Sequence, residues 1–147
     1  MPAWAYFDTS VLLKRYLDEQ GSAAGRRMFS RYSVVSSVIA PLEAKSALCR
    51  RRVMGELTPS DFEAVNLRLQ ADRDYWVLVE LGADLLDRTE SVIEQTGVRT
   101  LDALHLASAL LFQAETRIAM PFVTADGKQM EAASALGLRP IWVGPRR

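Results

Sequence analysis

The sequence predicts an α/β fold, a mostly parallel central sheet flanked by helices in three layers. Three observations point there. Short apolar runs alternate with longer stretches of helical periodicity along almost the whole chain, the pattern of strand–helix–strand units. With 147 residues, 49% hydrophobic and 24% charged, the chain can bury a real core but is too short for two ordinary domains, so residues 1–147 are expected to fold as one. No repeat, low-complexity tract or linker interrupts the alternation.

Trp4 to Phe7 reads as a buried strand ending at Asp8, and Thr9 to Glu19 as a helix with Val11, Leu12, Leu13, Tyr16 and Leu17 on its apolar side. Gly21 breaks it, and Ser22 to Arg31 reads as a second helix. Val34 and Val35 suggest a short strand, with Ser36 or Ser37 as a cap. A helix follows from about Ala40 to Met54; Pro41 fits its first turn and Gly55 ends it. Thr58-Pro59-Ser60-Asp61 is a helix start with a capping hydroxyl and an early proline, and that helix reaches about Asp72. Trp76 to Leu81 reads as a strand, and Ala83 to Gln95 as a helix stopped by Gly97. Thr100 is placed to cap a helix from Leu101 to about Glu115. Phe122 and Val123 form a strand, Lys128 to Leu136 a helix, and Pro140 to Val143 a last strand.

Composition narrows the chemistry. Lys plus Arg and Asp plus Glu number 18 each, so a global basic charge does not argue for nucleic acid, though a local basic patch is compatible with it. Cys49 is the one cysteine and sits in a helical pattern, where it reads as packing; a lone thiol fits a reducing cytoplasm. His105 is the only histidine, which rules out a Cys/His zinc cluster. The first residues lack a basic start and a long apolar region, so no signal peptide is expected, and no stretch approaches the roughly 18 apolar residues of a membrane helix.

Four carboxylates stand out. Asp8 and Asp126 each follow a short strand and precede a helix, the edge where parallel sheets bind ligands. Each also reads as a helix N-cap. Glu43 lies among small residues on its helix; it either faces a site or pairs in solvent with Lys45 or Arg50. Asp102 opens a helix that is nearly all apolar, where it either complements the helix dipole or faces a site. His105, one turn on, reads as a packed or hydrogen-bonded histidine rather than a catalytic base. Taken together, acids from separate elements suit a hard cation such as Mg²⁺ or Mn²⁺ with water positions left open. No phosphate-cradling glycine loop and no serine–histidine pair suggests other chemistry.

Tyr6-Phe7-Asp8-Thr9-Ser10, Leu42-Glu43-Ala44, Leu101-Asp102-Ala103-Leu104-His105-Leu106-Ala107 and Val123-Thr124-Ala125-Asp126 resemble the successive motifs of PIN domains. The chain looks most like VapC-type toxins of bacterial toxin–antitoxin pairs. The resemblance spans almost the whole chain, and the motif around Asp102 is its most specific part. It implies a PIN-like three-layer sandwich and a Mg²⁺- or Mn²⁺-dependent endoribonuclease, usually dimeric and inhibited by a cognate antitoxin; the lone thiol adds the expectation of a cytoplasmic location. By the same resemblance Asp8, Glu43, Asp102 and Asp126 are the catalytic and metal-binding acids, with Thr9, Ser10 and Thr124 as supporting hydroxyls. Pro41 and Met130 depart mildly from the pattern and touch none of the acids.

The reaction so implied is metal-assisted hydrolysis of an RNA phosphodiester. Arg50, Arg51 and Arg52 are candidate phosphate contacts, and Lys14, Arg15 and Lys128 weaker ones; a solvated helix end explains the arginine run equally well. The rival readings are a structure-specific DNA nuclease on the same scaffold, a receiver-like signalling domain, and an inactive binding module. A receiver would need a lysine closing a late strand, which Lys128 does not do.

Overall fold

Ala5, Tyr6 and Phe7 are all fully buried, so the first apolar run becomes the middle strand of a sheet covered on both faces. In the computed structural model, which describes residues 3–145, the elements run β1 (Trp4–Phe7), α1 (Thr9–Lys14), α2 (Ser22–Arg31), β2 (Ser33–Ser37), α3 (Ala40–Val53), α4 (Pro59–Arg73), β3 (Val77–Val79), α5 (Ala83–Thr96), α6 (Thr100–Thr116), β4 (Pro121–Thr124), α7 (Gly127–Ala135) and β5 (Arg139–Trp142). The strands form one sheet in the order β3-β2-β1-β4-β5, every pairing parallel. The three-layer α/β sandwich read from the alternation is the fold.

The period-2 alternation of strand side chains divides the core. Tyr6, Val35 and Phe122 point to one face, where Leu85, Val92, Leu104, Leu106 and Ala132 of α5, α6 and α7 cover them. Ala5, Phe7, Val34 and Val123 point to the other, against Val11, Leu12, Met28 and Phe29 of α1 and α2. A third cluster of Tyr16, Leu17, Leu48, Phe62 and Leu69 joins α3 and α4 to the segment after α1.

The chain winds from β1 outward through β2 to β3, then returns to pair β4 on the other side of β1. The carboxyl ends of β1 and β4 therefore flank the point where the winding reverses, the usual ligand crevice of such sheets. Asp8 follows β1 and Asp126 follows β4.

Several boundaries differ from the sequence reading for tertiary reasons. α1 ends at Lys14, not Glu19, because the Lys14 ammonium is drawn into the protein, donating to the Gln20 carbonyl at 2.6 Å and to Glu19 at 3.1 Å, which turns the chain back. Gly21 is needed where it stands: its φ is +87°, and an added Cβ would lie 2.1 Å from the Val143 carbonyl oxygen. β3 is three residues rather than Trp76 to Leu81, because as an edge strand it pairs only with β2, which stops at Ser37. Ser36 and Ser37 lie within β2; Ser36 donates to the Phe7 carbonyl at 2.7 Å, and Ile39 is the N-cap of α3. Thr100 is the first residue of α6 rather than its cap; that place belongs to Arg99, which offers no side-chain hydrogen bond. Thr58 does cap α4, accepting from the Asp61 N–H at 3.0 Å, and Gly97 closes α5 at φ +71°.

Candidate functional site

The two strand-end acids are tied together by one hydroxyl. Thr124 Oγ1 donates to Asp8 Oδ2 at 2.5 Å and accepts from the Asp126 N–H at 3.0 Å. Ser10 Oγ donates to Asp8 Oδ1 at 2.5 Å and accepts from the Ala125 N–H at 3.3 Å, a second bridge between the β1 and β4 ends. Asp8 is itself the N-cap of α1, accepting from the Val11 N–H at 3.3 Å. It is 3% exposed, and burial pushes its carboxyl above the usual carboxylate range, outweighing the charge of His105 and its three hydrogen-bond donors. Asp126 caps α7 through Oδ1, which accepts from the N–H groups of Lys128 at 2.9 Å and Gln129 at 3.2 Å. The capping role open for both aspartates is thus realised in both.

Glu43 and Asp102 come to the same edge from α3 and α6. Thr9, the third supporting hydroxyl, serves Glu43 rather than Asp8, donating to Oε1 at 2.7 Å. His105 Nε2 lies 2.6 Å from the same oxygen, and its Nδ1 lies 2.8 Å from the Tyr6 hydroxyl. An ionised carboxylate only accepts, so Nε2 donates its proton to Glu43. Burial raises the Glu43 carboxyl, but the hydrogen bond and charge of His105, with the Thr9 hydroxyl, overcome that and leave it below its ordinary value. Asp102 shifts the other way: burial raises it first, the charges of Asp126 and Glu43 add to the rise, and His105 and Lys128 only partly offset it. Asp102 therefore feels the charges of Asp126 and Glu43, and Asp126 reaches Asp8 through Thr124.

Glu43 and Asp102 line an open hollow of about 520 Å³ with Arg99, Thr100 and Leu101. Among the described residues, Asp102 Oδ2, Asp126 Oδ2 and Glu43 Oε2 accept no hydrogen bond. Among the same residues, no three acidic, histidine or cysteine side chains are grouped so as to hold one ion. The donors are nonetheless all hard oxygens, and a strongly hydrated cation such as Mg²⁺ keeps several waters and needs only one or two direct carboxylates. The set fits such an ion.

The arginine run is not brought to the acids. Arg50 donates to Ser46 at 2.7 Å, Arg51 pairs with Glu19 at 2.7 Å, and Arg52 lies 4.1 Å from the centre of the Phe62 ring. Glu43 is in the first turn of α3 and the arginines in its last, about 10 Å along the axis. Lys14 is buried on Glu19, and Arg15 pairs with Asp72 at 3.0 Å. Near the acids, Lys128 and Arg99 supply the positive charge. Sequence reasoning singled out neither Arg99, Tyr6 nor Gln129 as site residues; the signal for Arg99 was its position just before the Asp102 helix.

The sequence profile of the family described as PIN domain matches residues 5–134. A toxin–antitoxin complex from Klebsiella pneumoniae has a chain similar in structure at a TM-score of 0.66 and 12% identity, covering 97% of this chain and 99% of that one. FitAcB from Neisseria gonorrhoeae is similar at a TM-score of 0.68 and 15% identity, covering 93% of this chain and 96% of that one. At such identities the likeness is one of fold. A search of the curated proteins finds no match.

Proposed function

The chain belongs to the PIN domain family, and on that footing we propose that it is a divalent-metal-dependent endoribonuclease acting as the toxin of a toxin–antitoxin pair. Family membership supports a phosphodiester-cleaving nuclease. The observation that carries the metal-dependent reading is Asp102, held against the charges of Asp126 and Glu43 with an oxygen left open at the edge where the winding of the sheet reverses. An acid held beside two other negative charges favours a nearby cation.

Asp102 and Asp126 offer their open oxygens to Mg²⁺ or Mn²⁺. Asp8, with three of its roughly four lone-pair sites already taken, would add its negative charge beside them rather than a free ligand oxygen. The bound cation supplies Lewis acidity that activates water and neutralises charge developing on the phosphate. Glu43, kept ionised by His105 and Thr9, orients the attacking water through Oε2 and accepts its proton. Arg99 and Lys128 draw the phosphate backbone to the hollow.

The chain, freed of any antitoxin, is expected to cleave RNA with Mg²⁺ or Mn²⁺ and to stop in EDTA. Robust cleavage in EDTA removes the metal reading, and cleavage of structured DNA in place of RNA moves the chain to the DNA-nuclease reading. The toxin role is supported by the fold shared with the Klebsiella toxin–antitoxin complex. It is checked by whether the neighbouring open reading frame encodes a small protein that binds this chain and silences it.

A homodimer is proposed as well. Leu42 at the start of α3 and Val53 and Met54 at its end are 72%, 83% and 71% exposed, apolar surface left for a second copy to cover. Light scattering at micromolar concentration is expected to give twice the 16.4 kDa chain mass, and a stable monomer contradicts it. Among the described residues no helix is long and apolar enough to cross a membrane.

A further inference from the structure

Gln129 lies in the first turn of α7 and is 1% exposed. Its backbone N–H donates to Asp126 Oδ1 at 3.2 Å, and its side-chain Nε2 donates to Asp102 Oδ1 at 3.3 Å. One residue thus spans two carboxylates carried by different helices. Its Oε1 is buried and has no hydrogen-bond partner among the described residues. The orientation of the amide follows from its neighbour: an ionised carboxylate only accepts, so Nε2 must face Asp102 and Oε1 must face elsewhere. A buried carbonyl left without a donor is costly, and a position that had only to pack would be served by leucine or methionine of similar length.

We propose that Gln129 is a positioning residue of the site: with its backbone N–H on Asp126 and its side-chain Nε2 on Asp102, it holds Asp102 at its working distance from Asp126. The proposal rests on the metal-dependent reading above. Carboxylates that ligate a metal are themselves held by hydrogen bonds, and removing such a partner typically weakens metal binding about 10–100-fold. An amide suits this place better than an acid. It braces Asp102 through a donor without adding a further negative charge beside Asp126 and Glu43.

The test is Mn²⁺ binding to the purified chain, followed by the electron paramagnetic resonance of free Mn²⁺, beside thermal melting in EDTA. Gln129→Met is expected to bind Mn²⁺ about 10–100-fold more weakly and to melt no lower than the native chain, since the unpartnered acceptor is gone. Gln129→Glu places a charge beside Asp102. It is expected to melt lower in EDTA and to gain more from Mn²⁺ than the native chain does. Native Mn²⁺ affinity in Gln129→Met, with or without lower melting, reduces Gln129 to a packing residue and overturns the proposal. Should the Met variant not fold, Gln129→Glu decides alone, and a Mn²⁺ gain no larger than native overturns it. A native chain that binds no Mn²⁺ removes the metal reading and this inference together, whereas native binding with unaltered variants removes only the role of Gln129.

Discussion

Asp102→Asn is expected to lower RNA cleavage by more than about 100-fold, since loss of a partner that merely supports a metal ligand already costs that much, while the metal-free protein melts slightly higher than native. The two effects have one origin. Asp102 is raised by burial and by the charges of Asp126 and Glu43, so in the folded chain it keeps its proton to higher pH than in the unfolded chain. Its contribution to stability is complete below the unfolded value. It is lost as pH rises through the folded value, leaving a penalty when the carboxylate is charged and no cation is present. The amide keeps the shape and can still accept from Gln129 Nε2, but carries no charge. The variant should therefore lack this fall in stability with rising pH, and it should gain less from Mn²⁺ because it binds the ion less well. Melting in EDTA and then in Mn²⁺, at several values upward from about pH 4, reads both halves. A variant that is active, or that melts clearly lower in EDTA, would show that Asp102 serves α6 as a first-turn acid and little else.

The parts of this arrangement that were legible in the sequence are those fixed by short-range chemistry. Ala5-Tyr6-Phe7 could only be a strand covered on both faces, and Asp8 and Asp126 stood where strand becomes helix. Their positions at the carboxyl edge followed from alternation alone, and the winding of β4 back to β1 makes them neighbours. What stayed hidden depended on which distant group a side chain meets. His105 read as a hydrogen-bonded histidine, and so it is, but its partner is Glu43, 62 residues away in sequence. Thr9, adjacent to Asp8, serves Glu43, while Thr124, far along the chain, serves Asp8. Gln129 gave no sequence signal at all, since a glutamine in an amphipathic helix is ordinarily solvated. The arginine run misled for the complementary reason: three cations in a row on a helix fan out over more than half a turn, and each found a partner of its own.

Asp8→Ala is expected to destabilise the metal-free chain by about 2–3 kcal/mol, the sum of a lost N-cap and newly orphaned buried donors. That is the opposite sign from Asp102→Asn, although both acids sit at one site and both have raised carboxyls. Asp102 is half-buried and accepts a single bond, so charge repulsion dominates its balance. Asp8 is almost fully buried and accepts from Ser10, Thr124 and the Val11 N–H. Removing it leaves the Val11 N–H only the backbone carbonyl of residue 8, at 3.2 Å, and two hydroxyls must find weaker partners. The Thr124 hydroxyl has the Asp126 carbonyl only at 3.5 Å. Against this stands the relief of a buried charge, because burial is the first cause of the raised Asp8 carboxyl. That relief is absent below the unfolded value and grows as pH rises towards the folded one. The deficit of Asp8→Ala should therefore be largest in acid and narrow as pH increases. Asp8→Asn should fall between Ala and native, since its carbonyl can keep Ser10 and Val11 while its amide turns a donor towards Thr124. Urea midpoints in EDTA at acid and neutral pH, with unchanged m-values, measure the ordering. If Asp8→Ala proves as stable as native, the three donors are satisfied without the carboxylate, and Asp8 is held there for the cation alone.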